Sequence, residues 1–434
     1  MSIIKQNSLQ EKHQVSPKKT FDFVYNNSKL QQYTTEAVFF TRKRSLTFPV
    51  VVSSLLNLFK ESVEYSISTI LPTFDLKPVT GSAFSLARYK IDLSFFKDLN
   101  KILVDFNQKA PGKLWKGFQL IGGDGSTVSL PASRQIKEYF GVFSSSEKGV
   151  KSCLAQVFML YDVLADIVID GRISKMADGE KTLLKHCLTD LPESKAIFIL
   201  DRGFGYFGVC KQLLNQQRDF CIRMSTSNSA FGKSAMGNPS NDFITYWEPS
   251  PAEKETCAKQ GQDIQPIMVR VSKVKLKSGE TELLISSLYD MKTFSLADLK
   301  ELYLLRWGIE EGYKKLKPKM KLEHFGSRKP EGILQEFQIH LFVMNLVSII
   351  GNAAQQEVDK KCVNRVLQYK YNWQNAFRFV RNKIVDLLRY LHPEHLIEQL
   401  IDLIAASVIP IKPDRTFPRL RIKKRKPRLY QTYK

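Results

Sequence analysis

At about residue 116 the apolar residues of this chain change period, and that change constrains the fold more than any other feature. Before it, FPVVVSSLLNLFKESVEYSI carries apolar residues at helical spacing after Pro49. After it, GFQLIGGDGSTVSLP reads as a strand, a turn and a second strand, and CLAQVFMLYDVLADIVIDGRI as two more strand-like runs. GEKTLLKHCL then reads as a helix and AIFIL as a short, fully apolar strand ending at Asp201 and a glycine turn. FGVCKQLLNQQ is a further helix, and DFCIRMS a further strand. Strands come first, then helix and strand alternate. This order predicts an α/β protein, with a mixed sheet and helices packed on its faces.

The flanking segments divide the chain. Residues 1–115 are mostly helical, and Thr80 or Ser82 can cap a helix with Arg88 and Lys90 on its later turns. Such a basic helix could enter a DNA groove, or could simply pack against its neighbours. Residues 116–224 hold the first part of the sheet. Residues 225–292 form a β-rich insertion: STSNSAFGKSAMGNPSND reads as a loop, and IMVRVSKVKLKSGETELLISSLYD as a hairpin. Helical spacing resumes with Ser295 as N-cap and runs to Lys317, where Pro318 should end the helix. A second helix, EGILQEFQIHLFVMNLVSIIGNAA, completes residues 293–355. Residues 356–434 are a helical region and a basic tail, FPRLRIKKRKPRLYQTYK, either in contact with phosphates or merely solvated.

The formal net charge of +22 points to a polyanionic partner, most often nucleic acid. Six scattered cysteines form no CxxC pair, the pattern of a reduced intracellular chain without a zinc site. The six histidines show no ligand spacing. The N-terminus lacks an apolar signal core, and FPVVVSSLLNLF and LFVMNLVSII are too short to span a bilayer. The expectation is a soluble cytoplasmic protein with no membrane partner.

Within YLLRWGIEEGYKKLK, Tyr303, Arg306, Glu310 and Lys317 are offset by three, seven and fourteen residues. On one helix all four fall in a wedge of about 60°. A carboxylate flanked by cations suits a metal ion beside a phosphate chain. Glu311 points about 100° away and is set aside. Asp124 in IGGDGST and Asp201 after AIFIL supply two more carboxylates at strand-like ends, although each alone could be a turn acid. Phosphodiester cleavage by water needs a deprotonated attacking oxygen and a stabilised leaving oxygen, which two divalent ions about 4 Å apart provide. Magnesium prefers oxygen ligands, so three carboxylates could form its cage. Without metal they should repel, leaving the empty site partly disordered or partly protonated.

The pattern Tyr-x2-Arg-x3-Glu-x6-Lys resembles the signature of the IS-four family of bacterial insertion-sequence transposases. DGSTVSLP and ILDRGFGYF resemble that family's two aspartate blocks, with Ser126 where threonine is commoner. ILQEFQIHLFVMN resembles its next helix through Gln335, Glu336 and Asn345. The resemblance covers about 110–355. It implies a ribonuclease H-like catalytic core interrupted by a mostly β insertion, a triad of Asp124, Asp201 and Glu310, and Mg2+ or Mn2+ as two ions per site. It also implies cut-and-paste transposition at terminal inverted repeats, on double-stranded DNA and by a homodimer. Arg306 and Lys317 would contact phosphates and Tyr303 the DNA beside the site. Trp247 in the insertion could stack on a flipped base or could be an ordinary core residue. A catalytically silent DNA-binding relative, or a nuclease on the same fold, remains as an alternative.

Overall fold

The computed structural model describes residues 19–412 except 26–27, 43, 59–60, 110–112, 144–151, 193, 260, 277–278 and 391. The N-terminal segment and the basic tail read above therefore lie outside the described residues. Among the described residues before the sheet are the helices α1 (Phe48–Leu56), α2 (Val63–Ile70), α3 (Gly81–Arg88) and α4 (Leu93–Lys109). Thr80 caps α3, its hydroxyl accepting from the Ala83 N–H at 3.2 Å. The basic groups of α3 do not form a DNA-reading face. Arg88 is buried against Gln335, Glu336 and the Gly332 carbonyl, and Lys90 lies past the helix end over the Phe39 ring.

The sheet begins with β1 (Gln119–Leu130), one unbroken strand running straight through Gly122-Gly123-Asp124-Gly125 rather than turning there. Asp124 is thus mid-strand, not at a strand end. Pairing accounts for this: β2 (Cys153–Asp162), reached through α5 (Arg134–Phe140), lies antiparallel to β1 from Ile121 through Asp124 to Leu130. From the other side β4 (Ala196–Leu200) pairs in parallel as far as Gly123 opposite Leu200. Between them in sequence come β3 (Ile167–Lys175) and α6 (Gly179–Asp190). After β4 come α7 (Phe207–Asn215) and β5 (Asp219–Met224). The sheet order β3-β2-β1-β4-β5, with the first three antiparallel and β1, β4 and β5 parallel, is the ribonuclease H-like arrangement.

The segment after β5 is more ordered than its composition suggests. It folds as α8 (Ala230–Gly237), capped by Ser229, then β6 (Asp242–Trp247) and α9 (Pro251–Lys259). The expected hairpin follows as β7 (Ile267–Lys275) and β8 (Thr281–Ser286). It joins the core sheet through β8 on β5, giving eight strands ending β5-β8-β7-β6. Trp247 is not available to a base: it is 1% exposed, stacked on Phe231 and edge-on to Phe207. The role considered for it in DNA stacking is therefore withdrawn for this conformation.

Ser295 caps α10 (Leu296–Leu305) in a capping box with Asp298. The helix does not continue to Lys317. Arg306 and Trp307 donate to the Tyr303 and Leu304 carbonyls, a tightened turn, before α11 (Gly308–Lys314) begins. The break lets Gly308 press on the β2–β3 turn, where a Cβ would come within 2.8 Å of Val163. Pro318 does not end the structure either: Lys315–Lys319 forms a π turn containing it, closed by Met320 N–H to Lys315 O at 2.9 Å. The wider turn accommodates a residue that lacks an N–H and would crowd an ordinary helix.

Next come α12 (Pro330–Lys361), the short strand β9 (Tyr369–Tyr371), α13 (Trp373–Arg389), α14 (Glu394–Ala406) and β10 (Val408–Pro410), which pairs with β9. The stretch LFVMNLVSII is the middle of α12, which is long and apolar enough to cross a membrane by length and composition. It is a core helix: 83% of its apolar window is buried inside the fold. One hydrophobic cluster joins α12, α13 and α14 to the N-terminal helices and one face of β1–β3. The terminal regions thus share a core and do not form separate globules. A second cluster gathers α6 and α7 on the opposite face, and a third packs α10 on β4, β5 and β8. All six cysteines are free thiols.

Candidate active site

The site is assembled where β1 and β4 run side by side. Asp124 follows Gly123, the last β1 residue paired with β4, and Asp201 follows Leu200, so the two acids leave neighbouring strands next to each other. The Asp124 Oδ1 accepts from Gly125 N–H at 2.9 Å, and the Asp201 Oδ1 accepts from Gly203 N–H at 2.7 Å. Each carboxylate is thereby held by its own turn or strand.

A third acid, Glu180 in the first turn of α6, lies beside them and was not anticipated from sequence. A Cβ on Gly125 would fall 2.3 Å from the Glu180 carboxyl, so only glycine leaves room for this group next to Asp124. Gln156 Nε2 donates to Glu180 Oε1 at 3.1 Å. Burial pushes the Asp124 carboxyl up to about 6. The Asp201 and Glu180 charges add to the rise, while Gly125 N–H and Arg306 oppose it. Burial, then Asp201, raises Glu180 as well, against the Gln156 hydrogen bond. These are carboxylates whose combined charge is poorly compensated by the protein alone.

α11 closes the other side. The Tyr313 hydroxyl donates to the Asp124 carbonyl at 2.8 Å, anchoring the helix to β1. Glu310 precedes it by one turn, and Arg306 Nη2 reaches Glu310 Oε1 at 3.5 Å. Arg306 is the bridge between the groups, since its charge also acts on Asp124. Its Nε is buried with no hydrogen-bond partner, a donor suited to a phosphate oxygen. Lys317 turns to the far end of β1, donating from Nζ to Ser126 Oγ at 3.0 Å and Thr127 O at 2.6 Å. Burial holds its ammonium below the ordinary lysine value, with Glu323 opposing.

Tyr303 departs from the expected stripe. It precedes the break, is 7% exposed and belongs to the cluster under α10. The exposed ring at this edge is Trp307, 47% exposed beneath the Arg306 guanidinium at 5.5 Å. Among the described residues, no three His, Cys, Asp or Glu side chains stand close enough to share one metal ion. The closed cage expected of Asp124, Asp201 and Glu310 is therefore replaced by a looser arrangement. Three charged carboxylates repel, and separation is the state that electrostatics favours without a counter-ion. The donor chemistry still fits a hard cation: oxygen-only groups, one pushed up by burial and then by its acidic neighbours, and a glycine cradle at Gly125. Of the residues missed, Tyr313 had a sequence signal, since an unbroken helix would put it only about 20° outside the wedge. Glu180 had none, because only the β1–β2 register and the packing of α6 bring it near.

Fold and site together place the chain among ribonuclease H-like proteins. The family model described as transposase DDE domain matches residues 123–346, just over half the chain. The chain is 21% identical to transposase InsG for insertion sequence element IS4 from Escherichia coli (strain K12). That alignment covers 90% of this chain and 88% of the relative. A solved piggyBac transposase synaptic complex with hairpin DNA overlays at a TM-score of 0.45 with 13% identity, over 90% of this chain and 84% of that one. The chain belongs to the DDE transposase family, of the type found in insertion element IS4. Enzymes with this domain work in general with divalent metal ions.

Proposed function

We propose that the protein excises and inserts its insertion sequence by cut-and-paste transposition, cleaving DNA at terminal inverted repeats and joining the freed 3′ hydroxyl to a target. The observation that carries this reading is Asp124 half-buried beside Asp201 and Glu180 on a strand that α11 covers, with Glu310 on that helix and Arg306 in the turn before it. Asp124, Asp201 and Glu310 would hold two Mg2+ or Mn2+ ions, with Glu180 a fourth carboxylate in reach. Bound there, the ions supply Lewis-acid activation of the attacking oxygen and charge neutralisation at the leaving one.

The chain's own residues do the rest. Arg306 turns its free Nε and its forked guanidinium to the phosphate, and Lys317 places a second cation at the end of β1. Tyr303, being buried, acts at most through its hydroxyl, and Trp307 offers a flat face to an unstacked base. The working form would be a homodimer on paired ends in the cytoplasm, associated with the nucleoid.

The competing reading is a catalytically silent DNA-binding relative. One assay separates the two. A duplex carrying the element's own end is incubated with Mg2+, with EDTA, and with a Glu310→Gln variant. Metal-dependent nicking at the tip, absent from the variant, is the expected result. Binding without cleavage under every metal tried selects the silent reading. Glu180→Gln should weaken Mn2+ binding by about tenfold in a calorimetric titration while the fold survives. An unchanged affinity removes Glu180 from the donor set.

A further inference from the structure

A cavity of about 650 Å³ lies on the other side of α11 from the carboxylates, between the π turn, α12 and the segment from Arg365 to Trp373. Glu310 faces Arg306 on one side of the helix, and the next residue, Glu311, lines the cavity. The π turn divides in the same way: Lys317 reaches β1, whereas Lys315 and Lys319 line the cavity. Lys113, Arg365 and Lys370 bring its cations to five, against three acids.

Those acids are already engaged. Asp166 pairs with Lys315 and accepts from Ser348, Glu311 pairs with Lys314, and Asp359 accepts from Gln355. No carboxylate among the described residues lies within ion-pairing distance of Lys319 or Lys370. Burial, then the charges of Lys315 and Lys370, hold the Lys319 ammonium below its ordinary value, with Glu311 and Asp166 opposing. Lys315 and Lys319 both sit over the Trp373 ring, at 5.5 and 5.7 Å. Trp373 is itself 5% exposed, and its indole N–H is buried without a hydrogen-bond partner. Clustered cations that outnumber the acids around them and an unused buried donor on one wall mark a place for an anion.

We propose that this cavity holds a backbone phosphate of the DNA strand engaged at the active site, a few nucleotides from the reacting phosphodiester. The proposal rests on DNA being the substrate. A helix is about 10 Å across, and successive phosphates of one strand rise about 3.4 Å along the duplex axis. A strand lying over the exposed Trp307–Glu311–Lys314 edge of α11 therefore spans from Glu310 to Lys319 within about three nucleotides. Lys319 and Lys370 supply the charge, and the Trp373 wall fixes where it sits.

The test is lysine acetylation of the full chain, followed by mass spectrometry, with and without a short duplex of arbitrary sequence, in EDTA so that cleavage plays no part. With DNA at about ten times its Kd, modification of Lys319 and Lys370 should slow about tenfold. Protection elsewhere that spares these two overturns the proposal and leaves the transposase reading intact. No protection anywhere sinks both. Equal protection by inorganic phosphate alone makes this a small-anion site and overturns the assignment to DNA. As a second measurement, Lys319→Gln with Lys370→Gln should lower the slope of log affinity against log salt by about 2 in magnitude. An unchanged slope in a variant that melts like the parent also overturns the proposal.

Discussion

Asp124→Asn will abolish DNA cleavage and, in the absence of divalent metal, make the protein more stable at neutral pH. The loss of activity should be on the order of 10³-fold or more, equivalent to about 4 kcal/mol of barrier. The gain in stability has a defined pH window. The Asp124 carboxyl ionises near 3.8 when free but only at about 6 in the fold. Below the lower value both states are protonated and the side chain is neutral in its effect. Between the two values the folded state retains a proton that the unfolded state has released, so stability falls as pH rises. Above about 6 the penalty is complete, at most about 3 kcal/mol for a shift of this size. The asparagine variant carries no such penalty. Its advantage in chemical denaturation should be absent near pH 4, grow to pH 6 and then level off. Millimolar Mg2+ or Mn2+ should stabilise the parent and not the variant. A variant that is less stable than the parent at pH 7 would show that Asp124 is a structural carboxylate.

The parts of this fold that were legible in the sequence are those whose local pattern has one solution. AIFIL cannot be other than a strand buried on both faces, and Ser295 with Asp298 three residues on specifies a helix start. Asp201 was legible for the same reason, since it directly follows such a strand. Where tertiary pairing overrides local preference, the reading failed. Gly122 to Gly125 have the composition of a turn, but pairing with β2 along all four, and with β4 as far as Gly123, holds them extended. Residues 230–237 look like a loop, yet Ser229 caps a helix whose Phe231 stacks on Trp247. The stripe of four residues assumed one continuous helix. The turn at Arg306 and Trp307 sends Tyr303 into the core and leaves Arg306 and Glu310 at the site. The turn brings Gly308 against Val163 in the β2–β3 turn, a contact with a distant part of the chain that helical spacing does not reveal. Helical periodicity therefore grouped four residues that the turn divides, with Tyr303 alone packed under α10.

Arg88→Met should cost about 3–5 kcal/mol of stability, the usual effect of removing one partner from a buried ion pair. Arg88 is 6% exposed, and its three guanidinium nitrogens are shared among Gln335 Oε1 at 3.2 Å, Glu336 Oε1 at 3.0 Å and Gly332 O at 3.2 Å. Gln335 returns the contact, donating to the Arg88 and Ile91 carbonyls at 3.1 and 2.8 Å. Methionine fills much of the volume but leaves the Glu336 carboxylate buried without its cation and one carbonyl without its donor. The effect should reach the active site by a short covalent route. Glu336 also accepts from the Gly326 and Ser327 N–H groups, at 2.8 and 3.0 Å, and so holds the segment that follows Lys317 and the π turn. If that clasp positions the turn, Arg88→Met will lower cleavage at temperatures where the protein is still folded. Adding Glu336→Gln will restore part of the stability, because the uncompensated charge is gone. A loss below about 1 kcal/mol in the single variant, or strictly additive losses in the double variant, would mean that the pair is incidental. The N-terminal helices would then be held to α12 by their shared apolar core and by contacts such as the buried Asn345–Asn100 hydrogen bond.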